Sequence, residues 1–212
     1  MAARDPKGQA ARQPQRRRLT AEVRRESLIE IARHAFAARG YEGVRTQDIA
    51  AVAGVSEALL YRHFASKREL YLEVMRGAAA TLQQSVGQAI AAAPKERQLD
   101  DALCAFVAFV ADRSSGWSMI GAQVADDEIA AEQQAVRAEC LAVLVDVLAS
   151  DAGAGRSAAD RRRVEQLAEV IAGGAESLAV WWSNNPKVSR KEGEAMLVSF
   201  ARETLASAFS RS

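Results

Sequence analysis

The 212-residue chain predicts an all-α fold. Apolar residues recur at a spacing near 3.6 along almost its whole length. Only 4 prolines interrupt that spacing, and no stretch alternates β-branched with polar residues. Successive stretches open on Ser or Asp caps and close on Gly, or on Asn followed by Pro. About nine helices are expected.

Residues 1–18, with Pro6, Pro14 and a run of Arg and Gln, lack apolar spacing and read as a disordered basic arm. A first helix spans about Thr20–Arg39, with Leu28, Ala32, Ala35 and Phe36 on one face and Gly40 as its stop. Two short helices follow, near Thr46–Ala53 and Glu57–His63, parted by Gly54, Val55 and Ser56. Ser66 and Glu69 form a capping box for a long helix striped by Tyr71, Met75, Leu82 and Val86, which runs up to Pro94. Leu99, Leu103, Phe106 and Val110 mark the next helix, ending at Ser114, Ser115 and Gly116. A short segment, Trp117–Gln123, precedes Asp126, Asp127 and Glu128, three acids suited to a helix N-terminus. Ile129, Val136, Cys140, Val143 and Val147 then make a buried face that ends before Gly153. Ser157 and Asp160 open a helix bearing Val164, Leu167, Ile171, Ala175, Leu178 and Trp182, closed by Asn184, Asn185 and Pro186. Ser189 and Glu192 open the last, with Leu197, Phe200, Thr204 and Ala208 expected on one face.

Composition narrows the function. With 28 basic and 27 acidic residues and 49% hydrophobic content, the chain is a folded protein rather than a disordered one. It has no run near the roughly 18 apolar residues of a membrane span and no apolar segment after its basic start, so no membrane partner is expected. Cytoplasmic residence is the expectation. Charge is divided unevenly: residues 1–68 carry +7 and residues 69–212 carry −6. A basic end on an acidic body points to a polyanion bound at one end. Catalysis finds little support, because phosphate loops, nucleophile elbows and H-E-x-x-H are absent from the sequence. Two histidines, His34 and His63, and two cysteines, Cys104 and Cys140, make a poor ligand supply, so neither a metal nor a cofactor is expected. The two thiols read as buried filler, with a redox pair as the sharper alternative.

The informative stretch runs from Thr46 to Lys67. Gly54 suits the left-handed conformation of a sharp reversal, Val55 plugs the turn, and Ser56 caps the following helix. Two helices too short to stand alone, joined this way, form a helix-turn-helix. At about 100° per residue Leu60 and Phe64 face the core. Ala58, Leu59 and Arg62 then face base edges, with Tyr61 and His63 on the flanks near phosphates. Lys67 and Arg68 lie in a first helical turn, where the macrodipole disfavours cations unless a phosphate is near.

The segment TQDIAAVAGVSEALLYRHFASKRELYLEVM resembles the DNA-binding domain of the tetracycline-repressor (TetR) family of bacterial regulators. The resemblance is carried by Gly-Val-Ser, Leu-Tyr-x-His-Phe and the lysine three residues after that phenylalanine, over residues 20–75; beyond them it is one of architecture. It implies a helix-turn-helix domain over residues 19–66 and a ligand-binding and dimerisation domain over residues 67–212. It also implies a homodimer on a palindromic double-stranded DNA operator, released by a small-molecule effector. By position, Thr46 and Tyr61 resemble the family's phosphate contacts, and Lys67 its lysine at the start of the fourth helix. Gln47, Glu57, Ala58, Leu59 and Arg62 occupy base-reading or groove-facing positions, and His63 either contacts phosphate or packs. Glu57 and Leu59 depart from the commonest pattern: Glu57 either accepts from a cytosine amino group or stabilises the helix start, and Leu59 suits a thymine methyl. The arm's Arg12, Arg16, Arg17 and Arg18 either reach the DNA or merely solubilise the chain.

For the second domain, Phe106, Phe109, Trp117, Met119, Gln123 and Trp181 are the candidate pocket residues, and a mainly apolar effector follows from the scarcity of charge among them. Asp112, Arg113 and Glu176 are candidate polar contacts. Gly173, Gly174, Trp182, Met196, Leu197 and Phe200 are the candidate dimer residues, on the last two helices that the family pairs into a four-helix contact. Trp181 and Trp182 diverge by about 100°, so one of them faces a partner or a pocket. The competing reading is a helical small-molecule-binding protein or enzyme whose first domain does not read DNA.

Overall fold

A computed structural model describes residues 20–112, 116–120, 124–153, 157–185 and 187–209. The arginines of the arm, together with Arg113, Gln123 and Pro186, lie outside these residues. Nine α-helices and no strand are present among the described residues: α1 (Ala21–Arg39), α2 (Thr46–Val52), α3 (Glu57–Tyr61), α4 (Lys67–Ala92), α5 (Gln98–Ala111), α6 (Trp117–Ile120), α7 (Asp127–Ala152), α8 (Ala158–Asn184) and α9 (Arg190–Phe209). A 3₁₀ turn, Lys95–Arg97, leads into α5. No described helix is long and apolar enough to cross a membrane.

The Ser66, Asp126 and Ser157 caps act where the sequence places them, and Thr20, expected as the first residue of its helix, caps it. Thr20 Oγ1 accepts from Val23 N at 3.3 Å and Ser66 Oγ from Glu69 N at 3.0 Å. Ser157 Oγ accepts from Asp160 N at 3.0 Å. Asp126 caps α7 by accepting from Glu128 N and Ile129 N. The reciprocal arm of the Ser66 box reaches one residue further back than usual, with Glu69 accepting from Ala65 N.

Helices α1, α2 and α3 close around Leu28, Ala32, Phe36, Val44, Ile49, Leu60 and Phe64, all buried. Helix α4 joins this head to the body. Its Tyr71 is buried and meets both Phe36 and Tyr41 edge-on at 5.0 Å. The Tyr71 hydroxyl donates to the Met119 carbonyl at 3.1 Å, and Gln133 Nε2 of α7 donates to the same oxygen. Burial pushes the Tyr71 pKa up to about 12. In the body, α5 lies among α4, α7, α8 and α9 and buries Leu99, Leu103, Phe106 and Val107.

One helical face differs from expectation. The buried ladder of α9 is Gly193, Leu197, Ala201 and Leu205, so Phe200 stands exposed instead of sharing a face with Leu197. The cause is Gly193, where a Cβ would collide with the Trp182 ring. Glycine lets α8 and α9 approach closely there and sets the rotation of α9.

Candidate nucleic-acid interface

The turn between α2 and α3 is made by Gly54 at φ +67°, a left-handed conformation that any side chain would strain. Val55 N donates to Ala50 O at 3.0 Å, and Ser56 Oγ accepts from Leu59 N at 3.2 Å. Five residues cannot hold a helix by their own hydrogen bonds. Helix α3 is held by Leu60, fully buried, and by Phe64 just beyond its end. Arg25 of α1 lies 4.9 Å over the Phe64 ring and pairs with Glu73 of α4 at 3.1 Å, tying the head's first helix to α4 behind it.

Opposite that anchor, Ala58, Tyr61 and Arg62 are exposed, and Leu59 is half-buried. Gln47 is exposed on α2. His63 is half-buried, its ring 6.4 Å from that of Phe64, a position between the core and the surface. Thr46 is nearly buried at the start of α2, and its hydroxyl meets Glu57 Oε1 at 2.6 Å and Tyr61 Oη at 3.1 Å. This polar cluster joins residues 11 and 15 positions apart, so no local pattern announces it.

The two cations after Ser66 separate. Lys67 is half-buried with its ammonium 4.2 Å over the Tyr41 ring, a cation–π contact at the rim of the head. Arg68, expected beside it near phosphate, instead turns towards the body. It donates to Asp126 Oδ2 at 3.0 Å and also pairs with Glu128, so it fastens α4 to the start of α7. The acids at residues 126–128 open α7 as their sequence predicts, and Asp126 caps it while also holding Arg68.

Among the candidate pocket residues, Phe106 lines a narrow apolar cavity of about 20 Å³ with Leu82, Val86, Cys140, Leu144 and Val147. Trp117 meets Phe106 edge-on at 5.4 Å, and Met119 is buried beneath Tyr71. Phe109 is half-buried against the core. Trp181 stands 47% exposed on the outer face of α8, away from this cavity. Glu176 pairs with Arg137 at 2.5 Å. Burial pushes the Cys140 thiol up to about 11 and, with nearby acids, raises that of Cys104, which suppresses the reactive thiolate in both.

Among the dimer candidates, Met196 and Phe200 of α9 are exposed, and Gly173 of α8 faces open space. Leu197 is buried within the chain, where Gly174 lies in ordinary contact with it, and Trp182 packs onto Gly193. Val170, Val180 and Trp181 extend the exposed apolar surface along α8. Val170 and Val180 escape sequence reading because they lie off the main buried stripe. A second, more open cleft of about 720 Å³ at the far end of the body, between the 3₁₀ turn and the end of α7, also left no motif. Among the described residues no group of three or more His, Cys, Asp or Glu could hold a metal.

Two family models match the chain: bacterial regulatory proteins of the tetR family over residues 28–74, and the tetracyclin repressor-like C-terminal domain over residues 94–203. The HTH-type transcriptional activator FasR of Mycolicibacterium smegmatis is 30% identical over 188 residues, 87% of this chain and 84% of the relative. The HTH-type transcriptional repressor KstR2 of Mycobacterium tuberculosis is 46% identical over 54 residues, 26% of this chain and 27% of its own length. The crystal structure of AibR in complex with isovaleryl coenzyme A and operator DNA shares the fold, with TM-score 0.67, 20% identity, 84% of this chain and 97% of that one. The head's turn and outward side chains, the helical body behind them and these matches lead to one conclusion: the chain belongs to the TetR family of transcriptional regulators, a family of DNA-binding proteins and not of enzymes.

Proposed function

We propose that the protein is a ligand-responsive repressor that binds a palindromic operator as a homodimer and leaves it when a small, mainly apolar effector enters the body. The observation that carries this reading is the head itself. Tyr61 and Arg62 project outward from a short helix whose underside is locked by Leu60 and Phe64. Arg62 suits a base edge, since a guanidinium bonds guanine O6 and N7 together. Thr46, Tyr61 and Lys67 suit phosphates, and Gln47, Ala58, Leu59 and His63 line the approach.

Two further observations support the finer points. The exposed apolar side chains Val170, Trp181, Met196 and Phe200 on α8 and α9 are of the kind a second copy covers, and a two-fold contact would set two heads about 34–36 Å apart. The apolar cavity between α4, α5 and α7 receives the effector's apolar portion, and its small volume means that the effector must part these helices. Helix α4 belongs both to the cavity wall and to the head, through Leu82 at one end and Tyr71 at the other. Parting the helices therefore shifts the head, and the effector lowers operator affinity by its differential affinity for the two arrangements. AibR, crystallised with an acyl thioester and operator DNA, makes short acyl groups the first effector class to try.

A second reading concerns sign alone. The relative that matches along most of its length is an activator. Transcription from the chain's own promoter, with and without the protein, separates the two. The central test is an anisotropy titration of the purified protein against DNA flanking its own gene, repeated with an acyl thioester series. Saturable binding weakened by one member of the series is expected. Binding no tighter than to random DNA would overturn the operator reading, and operator affinity indifferent to every effector would overturn the release.

A further inference from the structure

Thr46 and Gln133, like the Tyr71 phenol, are buried polar side chains, and Thr46 sits in the reading head. Its hydroxyl has one proton. At 2.6 Å from Glu57 Oε1 that proton goes to the carboxylate, in a short charge-assisted bond. The remaining contact, 3.1 Å to Tyr61 Oη, is then one in which Tyr61 donates and Thr46 accepts. Both hydroxyl protons are drawn inward along a chain from Tyr61 through Thr46 to Glu57. Yet these are the hydroxyls that the DNA-binding reading above needs as phosphate donors, because phosphate oxygens only accept.

As an acid in the first turn of α3 Glu57 favours the helix start, but its hydrogen bond goes elsewhere. Ser56 already caps α3, and the Glu57 carboxylate is turned across to α2 instead of back onto its own helix. It is also the first residue of the recognition helix, the end that reaches base edges. A carboxylate there accepts from an exocyclic amino group, most simply cytosine N4, whereas guanine O6 and N7 and thymine O4 repel it.

We infer that Glu57 is a specificity-determining residue that makes the phosphate grip of Thr46 and Tyr61 conditional on a cytosine in the groove. At a cytosine, the carboxylate exchanges Thr46 for the base amino group, and both hydroxyls turn to the backbone. At another base it keeps them, and its charge stands beside the phosphate. Discrimination then comes from contacts withheld at wrong sites as well as from one made at the right site. The inference rests on the DNA-binding reading.

The test uses the full chain, with a labelled random-sequence duplex and with sites selected from a randomised duplex pool. Glu57→Gln, which removes the charge, is expected to tighten binding to the random duplex by about threefold to tenfold, the size of one modest charge interaction. It is also expected to erase a cytosine preference at one position of each selected half-site. The tightening should persist in a Thr46→Ser background, which keeps the hydroxyl, and shrink with Thr46→Val to the part that the charge alone supplies, a coupling that a double-mutant cycle isolates. Thermal melting checks that each variant folds. Equal tightening with Thr46→Val, unchanged or weaker random binding, or a retained cytosine preference would overturn the gate. Failure of the wild-type chain to bind either duplex would instead overturn the DNA-binding reading itself.

Discussion

The head and the body of this protein bury apolar surface in opposite styles. Helix α3 has five residues and one buried side chain, Leu60, and nearly everything else on it is offered outward. Helix α8 has 27 residues, a long buried stripe from Val164 through Ala175, and an apolar outer face as well. The short helix depends on its neighbours for its existence, so its outward residues are presented in one orientation. The long helix closes many more of its own hydrogen bonds, and it leaves Val170, Val180 and Trp181 exposed. Rigid presentation in one place and spare surface in the other suit a molecule that reads with one end and assembles with the other.

The comparison is broken most severely at the outer face. Met196→Glu with Phe200→Glu would set like charges against each other in the proposed two-fold contact and is expected to yield a monomer in sedimentation. Operator affinity should fall by about 10²–10⁴ once two-headed binding is lost. Inside the head, Leu60→Ala removes the only buried residue of α3 and should lower stability by about 2–5 kcal/mol in thermal or denaturant unfolding. If the two regions are as different as described, the single body substitution Phe200→Ala leaves stability nearly unchanged.

Tyr71 stands between the two regions and titrates. Its folded pKa is raised to about 12 from an ordinary 10.0, so the neutral phenol stabilises the fold at any pH below 10. That contribution, about 2–3 kcal/mol at most, is lost as pH rises from 10 to 12. Tyr71→Phe should flatten the fall in stability over this window while costing about 1 kcal/mol at neutral pH for the bond to Met119. The smallest effect belongs to the reading surface. Arg62→Ala should leave melting unchanged and reduce discrimination at one operator position by about 1–3 kcal/mol, measured by competition between operator variants.

Much of the head was legible because its signals are local. The Leu60 and Phe64 spacing, the Gly54 turn and the Ser56 cap each follow from residues within one helical turn, and the structure contains all three. The Glu57 contact with Thr46 was not legible, since the hydroxyl and carboxylate meet only after α2 and α3 cross. Arg68 misled for a related reason: two acids 58 and 60 residues away compete with phosphate for its guanidinium. In the body, small residues blurred the pattern. Gly193 and Ala201 carry little hydrophobic weight, yet they hold the inner face of α9, whereas the sequence pattern points Phe200 inward. Trp181 and Trp182 were rightly expected to diverge, but only the fit of Trp182 onto Gly193 decides which of them is left outside.

The Met119 carbonyl receives two donors, one from α4 and one from α7. Three segments thus converge on a single peptide oxygen, and a displacement of α6 by one bond length severs both links together. Such a junction behaves like a latch with two bolts on one keeper: whatever moves that oxygen acts on both bonds at once.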